Sequence, residues 1–320
     1  MNYKKYHNKE NKPTRHGFGE GLREAGYHND KIVALGADIT GSVSVNFFKE
    51  TFPDRFYSIG IAEQNATGIA AGMALSGLIP VFATYGVFSA MRNTDQLRIS
   101  ICYNNVHAII GGAHAGISVG PDGATHQALE DIAITRSLPN MTVLSPCDAD
   151  QTHKAFQAAV NDISGPVYIR FGREKVPNFT GVDLPFETGK GQVLKPGNDL
   201  TIIATGHLVW HALQAAYQLE KDDIHARVIN IHTIKPIDKD IIINAAKETG
   251  KIITAEEHQI TGGLGSAVTE ITSEFVPVPV KIIGMPDCFG ESGKPEELMK
   301  KYGLSAENII HHAKSFLSHL

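Results

Sequence analysis

The chain has 320 residues, room for one large domain or two ordinary ones. Apolar residues at 42% and charged residues at 20% are the balance of a globular protein, and a net charge of −5 argues against nucleic acid or an anionic membrane as the main partner. No apolar stretch is long enough to span a bilayer, and the Lys/Asn-rich start lacks the apolar core of a signal peptide. Cys102, Cys147 and Cys288 lie far apart without zinc spacing, which suits a reducing cytoplasm.

Residues 1–13 read as a polar leader. Short buried strands ending in turn residues are expected at 32–38, 56–60, 79–84, 108–112, 141–146 and 167–171. Between them lie helix candidates at 14–27, 63–76, 88–103, 129–137 and 149–160, the last with Asp148 as N-cap. Such alternation implies a mainly parallel sheet with helices on both faces. From 172 to 198 the periodicity fails in a Gly-, Pro- and charge-rich stretch. Alternation resumes with strands at 200–205, 226–231, 251–255 and 280–284, helices at 207–220, 238–248 and 265–275, and a helical tail at 305–317. The expected fold is α/β with two doubly wound domains, at 14–175 and 196–320, joined by a linker at 176–195.

Ligands of parallel sheets bind beyond the carboxyl ends of the strands, and several candidate residues fall there. Glu63, in Gly60-Ile-Ala-Glu-Gln-Asn-Ala66, opens a helix after a strand. It reads either as a pocket acid or as a simple partner of the helix dipole. The following Gly68, Ala70, Ala71, Gly72 and Ala74 keep that helix slim enough for another backbone to pack closely. Tyr85 and Phe88 follow the next strand and suit either a flat heteroaromatic pocket or core packing. The stretch from His114 to His126 has three glycines, two histidines and Asp122 on one aperiodic loop, where function concentrates. The twelve-residue spacing of the two histidines makes a metal site a poor fit. Arg170 and Arg173 flank another strand end, suited to a bidentate anion contact or to a surface salt bridge. Gly262-Gly-Leu-Gly265 lacks a full dinucleotide fingerprint and reads as a tight turn before a helix.

The ordered motifs GADITGS, GIAEQNATGIAAGMA, FATYGVFSAMRNTDQLR, GGAHAGISVGPDGATHQALEDIA and IRFGREKVP resemble the thiamine-diphosphate-dependent transketolase superfamily over nearly the whole chain. The resemblance is strongest from Arg15 to Arg173, the pyrimidine-binding domain, and the remainder is similar to the family's C-terminal domain. It implies that Glu63 bonds the cofactor's aminopyrimidine nitrogen, with Tyr85 and Phe88 around that ring and Asp38 beside the cofactor. His114, Asp122 and His126 then line the sugar channel, with the two histidines as catalytic proton-transfer groups, and Arg15, Ser42 and Arg173 contact the substrate's distal anion. Met91 departs from the aromatic that many family members carry. The Gly-Asp-Gly motif by which the family binds diphosphate through Mg²⁺ does not occur. The resemblance therefore implies the C-terminal subunit of a split transketolase. A separate N-terminal subunit would supply the metal ligands, in an α₂β₂ assembly. Deoxyxylulose phosphate synthases and the beta-type subunits of 2-oxoacid dehydrogenases share parts of the pattern; a non-catalytic scaffold is the reading from a different class.

Overall fold

The structure, a computed structural model, describes residues 6–181 and 183–318. Residues 1–5 of the expected leader, and 319–320 at the other end, lie outside the described residues. The first part of the chain runs β1 (Glu10–Pro13), α1 (Thr14–His28), β2 (Ile32–Gly36), α2 (Asn46–Thr51), β3 (Phe56–Ser58), α3 (Glu63–Leu75) and β4 (Ile79–Tyr85). After an irregular helical run that includes α4 (Thr94–Gln96) come β5 (Ile109–Ala113), α5 (Asp131–Ser137), β6 (Thr142–Leu144), α6 (Ala149–Asn161), β7 (Val167–Arg170) and β8 (Lys175–Asn178). The second part runs β9 (Gln192–Lys195), β10 (Leu200–Ala204), α7 (Leu208–Leu219), β11 (Ala226–Asn230), β12 (Thr233–Lys235), α8 (Lys239–Thr249) and β13 (Ile252–Gln259). It ends in α9 (Leu264–Phe275), β14 (Val280–Met285), α10 (Pro295–Lys301) and α11 (Ala306–Ser318).

Strands such as β2, β5 and β10 are buried at every residue. A strand can be apolar throughout only where both faces of its sheet are covered, which is the parallel arrangement. The first sheet has the order β12-β6-β7-β5-β4-β2-β3 and is parallel except for β12, which runs antiparallel to β6. The second has the order β14-β13-β10-β11-β9, with β9 the antiparallel member. One apolar cluster contains Phe82, Ile110 and Tyr168 of the first sheet together with Ile203, Ile229 and Val268 of the second domain, so the two domains share a continuous core.

A local signal sets the start of α6. Asp148 caps α6 as expected, accepting from Gln151 N at 2.8 Å, and also binds Phe179 N and Thr180 N of the following connection. Other expectations are corrected. The single helix at 88–103 is broken into π-helical segments, Phe88–Arg92 and Leu97–Tyr103, around α4. There the Thr94 hydroxyl donates to the carbonyls of Ala90 and Met91, and buried Asn93 turns to Thr67, so side chains compete with the helical ladder. Part of the expected leader, β1, pairs with β8 of the aperiodic stretch in an antiparallel ribbon, and β9 also arises from that stretch. The helix expected at 129–137 begins at Asp131, and the strand expected at 251–255 runs on to Gln259.

Two buried histidines place a pH limit on this fold. Burial holds His232 at a pKa of about 4, and burial, with the Arg170 charge, holds His258 at about 4. His258 receives Ala133 N–H on Nε2 and faces the Gln259 carbonyl with Nδ1, so the neutral Nδ1–H tautomer satisfies both. The unfolded chain takes up these protons near 6.5 and the folded chain only near 4. Their contribution is therefore complete above pH 6.5 and is lost as pH falls from there toward 4, by up to about 1.36 kcal/mol per pH unit for each histidine. Urea midpoints should decline between pH 6.5 and 4.5, with a shallower slope in His232→Gln; equal slopes would show that His232 is not held neutral.

Candidate active site at the strand ends

The carboxyl ends of β2, β4, β5 and β7 open on one side of the first sheet, and the predicted residues gather there. Glu63 opens α3 after the turn at Gly60 (φ 77°) and is 2% exposed. Its Oε2 pairs with Arg92 Nη1 at 2.9 Å. The Arg92 guanidinium lies over the Phe88 ring at 4.0 Å from the centroid. Phe88 stacks near-parallel to Tyr85 at 6.0 Å, and Tyr85 lies 4.3 Å from the His114 ring. A ladder of flat groups thus leads from Glu63 to the end of β5.

His114 is fully buried in the left-handed region (φ 52°), uncommon for a residue with a side chain. Neither ring nitrogen has a protein partner. Burial first, then the charges of Arg15, Arg173 and His126, lower its pKa to about 3, so it is neutral near pH 7. His126 is half-buried, edge-on to Tyr85 (5.5 Å) and Phe88 (5.4 Å), with Nδ1 at 2.9 Å from the Thr125 hydroxyl. Between the two histidines, Ile117–Asp122 makes two short 3₁₀ turns kinked at Gly120 (φ 74°), framed by Gly116 and Gly123 with φ of 88° and 77°.

The basic end lies alongside. Arg15 Nη1 donates to the Ser42 carbonyl at 2.8 Å, and Ser42 Oγ is 3.4 Å from the Tyr85 hydroxyl. Arg15 Nε is buried without a partner. Burial and the neighbouring Arg173 charge pull the Arg15 pKa below its usual value, the mark of two cations sharing one region. Arg173 pairs with Asp122 at 3.1 Å and lies 3.8 Å from Glu174. A cavity of about 460 Å³ is lined by Arg15, His16, Arg173, Glu174, Lys175 and Glu296, among others. Asp38 sits apart at the end of β2, exposed, at φ 60°, accepting from Ser58 Oγ at 3.2 Å.

Other residues take structural positions. Arg170 faces inward, with Nε on Asp131 (2.9 Å) and Nη2 on the carbonyls of Ala128 and Glu257. At Gly262–Gly265 the amides of Leu264 (2.6 Å) and Gly265 (2.8 Å) donate to the Glu256 carboxylate, so this helix start already holds its own anion. Burial raises Glu256 to about 7 against those donors. Arg92 and Glu257 were not anticipated from the sequence; Arg92 stands within the FATYGVFSAMRNTDQLR motif, and Glu257 lies just past the predicted end of its strand. Among the described residues, no group of three or more His, Cys, Asp or Glu side chains could hold a metal ion, and no helix is long and apolar enough to cross a membrane.

Residues 10–178 match the family described as "Transketolase, pyrimidine binding domain", and residues 189–309 match "Transketolase, C-terminal domain". The chain is 40% identical to the 6-deoxy-6-sulfo-D-fructose transketolase subunit SqwH of Clostridium sp. (strain MSTE9), over 90% of this chain and 89% of the relative. It is 42% identical to an apulose-4-phosphate transketolase subunit of Phocaeicola vulgatus, over 95% of this chain and 97% of that relative. A 1-deoxy-D-xylulose-5-phosphate synthase of Geobacter sulfurreducens is 37% identical over 94% of this chain but only 47% of its own length, a poorer fit to that alternative. Among solved structures, one titled "Split gene transketolase, inactive beta4 tetramer" is 46% identical, with a TM-score of 0.89, over 96% of this chain and 98% of that one. The chain belongs to the transketolase family, carrying its pyrimidine-binding and C-terminal domains in that order.

Proposed function

We propose that this chain is the C-terminal subunit of a heteromeric, cytoplasmic transketolase that moves a two-carbon ketol unit from a ketose to an aldose. The observation that carries the reading is Glu63, a nearly fully buried carboxylate leading by a ladder of flat groups to an unpartnered, neutral His114. A buried acid beside stacked aromatic rings fits a heteroaromatic base that offers a ring nitrogen, as the aminopyrimidine of thiamine diphosphate does. When bound, thiamine diphosphate supplies the carbon nucleophile that takes up the ketol unit. Glu63 would hold a proton at the pyrimidine nitrogen, with Tyr85 and Phe88 holding the ring and Asp38 as a further acid of the site.

The sugar's hydroxyl protons fall to the histidines. His114 is neutral near pH 7 and offers one nitrogen as acceptor and one N–H as donor; His126 packs edge-on to the same Tyr85 ring. Asp122 can accept from a hydroxyl. Arg15 and Arg173, with Ser42 behind Arg15, hold a tetrahedral oxyanion at the far end, so remote binding energy orients the reacting carbons. The named substrates of the two relatives end in a sulfonate and a phosphate, which supports an anion of that class.

The diphosphate and its Mg²⁺ are assigned to a separate N-terminal subunit, in an α₂β₂ assembly. The outer face of α3 supports such a partner: a Cβ at Gly68 or Gly72 would meet nothing within 4 Å, and Ile61 and Leu75 are 71% and 68% exposed.

In the complete enzyme, Glu63→Gln should slow deuterium exchange at the cofactor's thiazolium carbon by orders of magnitude without unfolding the chain. Exchange as fast as in the parent would reduce Glu63 to a helix-start residue. Arg173→Ala removes a charge-assisted bond of about 1.5–3 kcal/mol, or roughly ten- to a hundredfold in kcat/KM. That loss should appear with a phosphorylated or sulfonated ketose and nearly vanish with hydroxypyruvate, which does not reach the basic end. Equal losses on both donors would place the anion site elsewhere.

A further inference from the structure

The loop from His114 to His126 holds three of the side chains assigned to the sugar, yet it is poorly equipped to hold itself. Its core is a pair of short 3₁₀ turns broken at Gly120, and Gly116, Gly120 and Gly123 all have positive φ. Its interior amide, Ser118 N, is buried and four residues from both His114 and Asp122. The partner of that amide comes from the other domain: Ser118 N donates to Glu257 Oε1 at 2.5 Å. We propose that Glu257, at the end of β13, is the positioning residue that sets the substrate loop, and that this clamp is a function of the C-terminal domain in catalysis. The proposal rests on the transketolase reading of the loop.

Three features fix the carboxylate. The backbone carbonyl of Glu257 accepts from Arg170 Nη2 at 2.7 Å, and the same nitrogen donates to Ala128 O at 3.2 Å, where the loop rejoins the fold. Gly116 N donates to that Ala128 carbonyl as well, at 2.9 Å, so both ends of the loop are tied to one point. On its other oxygen, Glu257 Oε2 lies 3.3 Å from His207 Nδ1, and the His207 ring packs on Gly172, beside Arg173. A Cβ at Gly116 would overlap the Glu257 carboxylate, so the loop closes on the acid without a gap. Glu257 thus braces the loop carrying His114 and Asp122 on one side and the strand end carrying Arg173 on the other. It touches none of these three side chains, and it is 3% exposed. Burial raises its carboxyl, but His207, Arg170 and Ser118 together outweigh burial and leave it below the ordinary value, so it serves as a carboxylate.

An amide left without its acceptor in a buried site forfeits a charge-assisted bond. Glu257→Ala should therefore loosen the loop, whereas Glu257→Gln keeps an oxygen for Ser118 N and should recover most of what is lost. Two readouts are taken on the full chain and on the complete enzyme. The first is amide hydrogen exchange of the peptide covering 114–126, which needs no activity: protection should fall in Glu257→Ala and return in Glu257→Gln. The second is a kinetic split. In Glu257→Ala, kcat/KM for an anionic ketose should fall roughly ten- to a hundredfold, while thiazolium deuterium exchange, which depends on Glu63, stays within about twofold of the parent. Gly116→Ala strikes the same contact from the loop side and should show the same split, which covers the case in which Glu257→Ala does not fold. Unchanged loop protection in Glu257→Ala and Gly116→Ala would overturn the clamp. So would parallel loss of thiazolium exchange and kcat/KM, or Glu257→Gln performing no better than alanine. A parent enzyme without ketol transfer would instead overturn the functional reading, with amide exchange still deciding the clamp.

Discussion

The guanidinium of Arg170 is buried at the junction of two sheets, and a buried charge persists only where its donors find acceptors. Here they do: Asp131 takes Nε, and the carbonyls of Ala128 and Glu257 take Nη2. Asp131 in turn accepts from the Tyr168 hydroxyl at 2.9 Å, so the pair is satisfied on both sides. Removing one member of such a pair typically costs about 3–5 kcal/mol, because its partner is left charged and dry. One residue thereby joins β7, the start of α5, the foot of the loop from His114 to His126 and β13 of the other domain. The relative placement of the strand ends, and of every side chain set on them, depends on this junction.

From that junction the site divides into two ends with different chemistry. At one end a buried carboxylate leads to stacked rings; at the other, Arg15 and Arg173 share one region, with Asp122 and Glu174 beside Arg173. His114 lies between them, kept neutral by burial and by those same cations. In the proposed function the two arginines serve two purposes. They attract an oxyanion, and they add to burial in keeping uncharged the imidazole that exchanges protons with the sugar. An electrostatic field that lowers the pKa of a catalytic base while binding a remote anion couples substrate recognition to acid–base chemistry without a direct contact.

Much of this was legible in the sequence, for physical reasons. The parallel strands are short and apolar throughout, their ends carry glycine and polar residues, and the side chains placed there gather on one side of the sheet. Asp148 was readable as a cap because aspartate before an apolar-periodic run has a local role. What escaped has no local signal. Strand β12 belongs by position to the second domain yet extends the first sheet, a pairing with β6 across about ninety residues. Strand β13 was cut short at Ala255 because Glu256, Glu257 and His258 are polar, although all three are buried. Their burial is a property of the domain junction, invisible to any window along one strand, and Glu257 was missed for that reason. The break in the helix at 88–103 likewise depends on Asn93 meeting Thr67 of another helix.

In the proposed function this chain carries one half of a cofactor site: the pyrimidine end and the sugar channel, but not the diphosphate end. The direct test is calorimetric titration of thiamine diphosphate with Mg²⁺ into the purified chain alone, and into an equimolar mixture with its N-terminal partner subunit. The account predicts no micromolar binding by the chain alone and one bound cofactor per pair in the mixture. Micromolar binding by the chain alone, or none by the mixture, would contradict it.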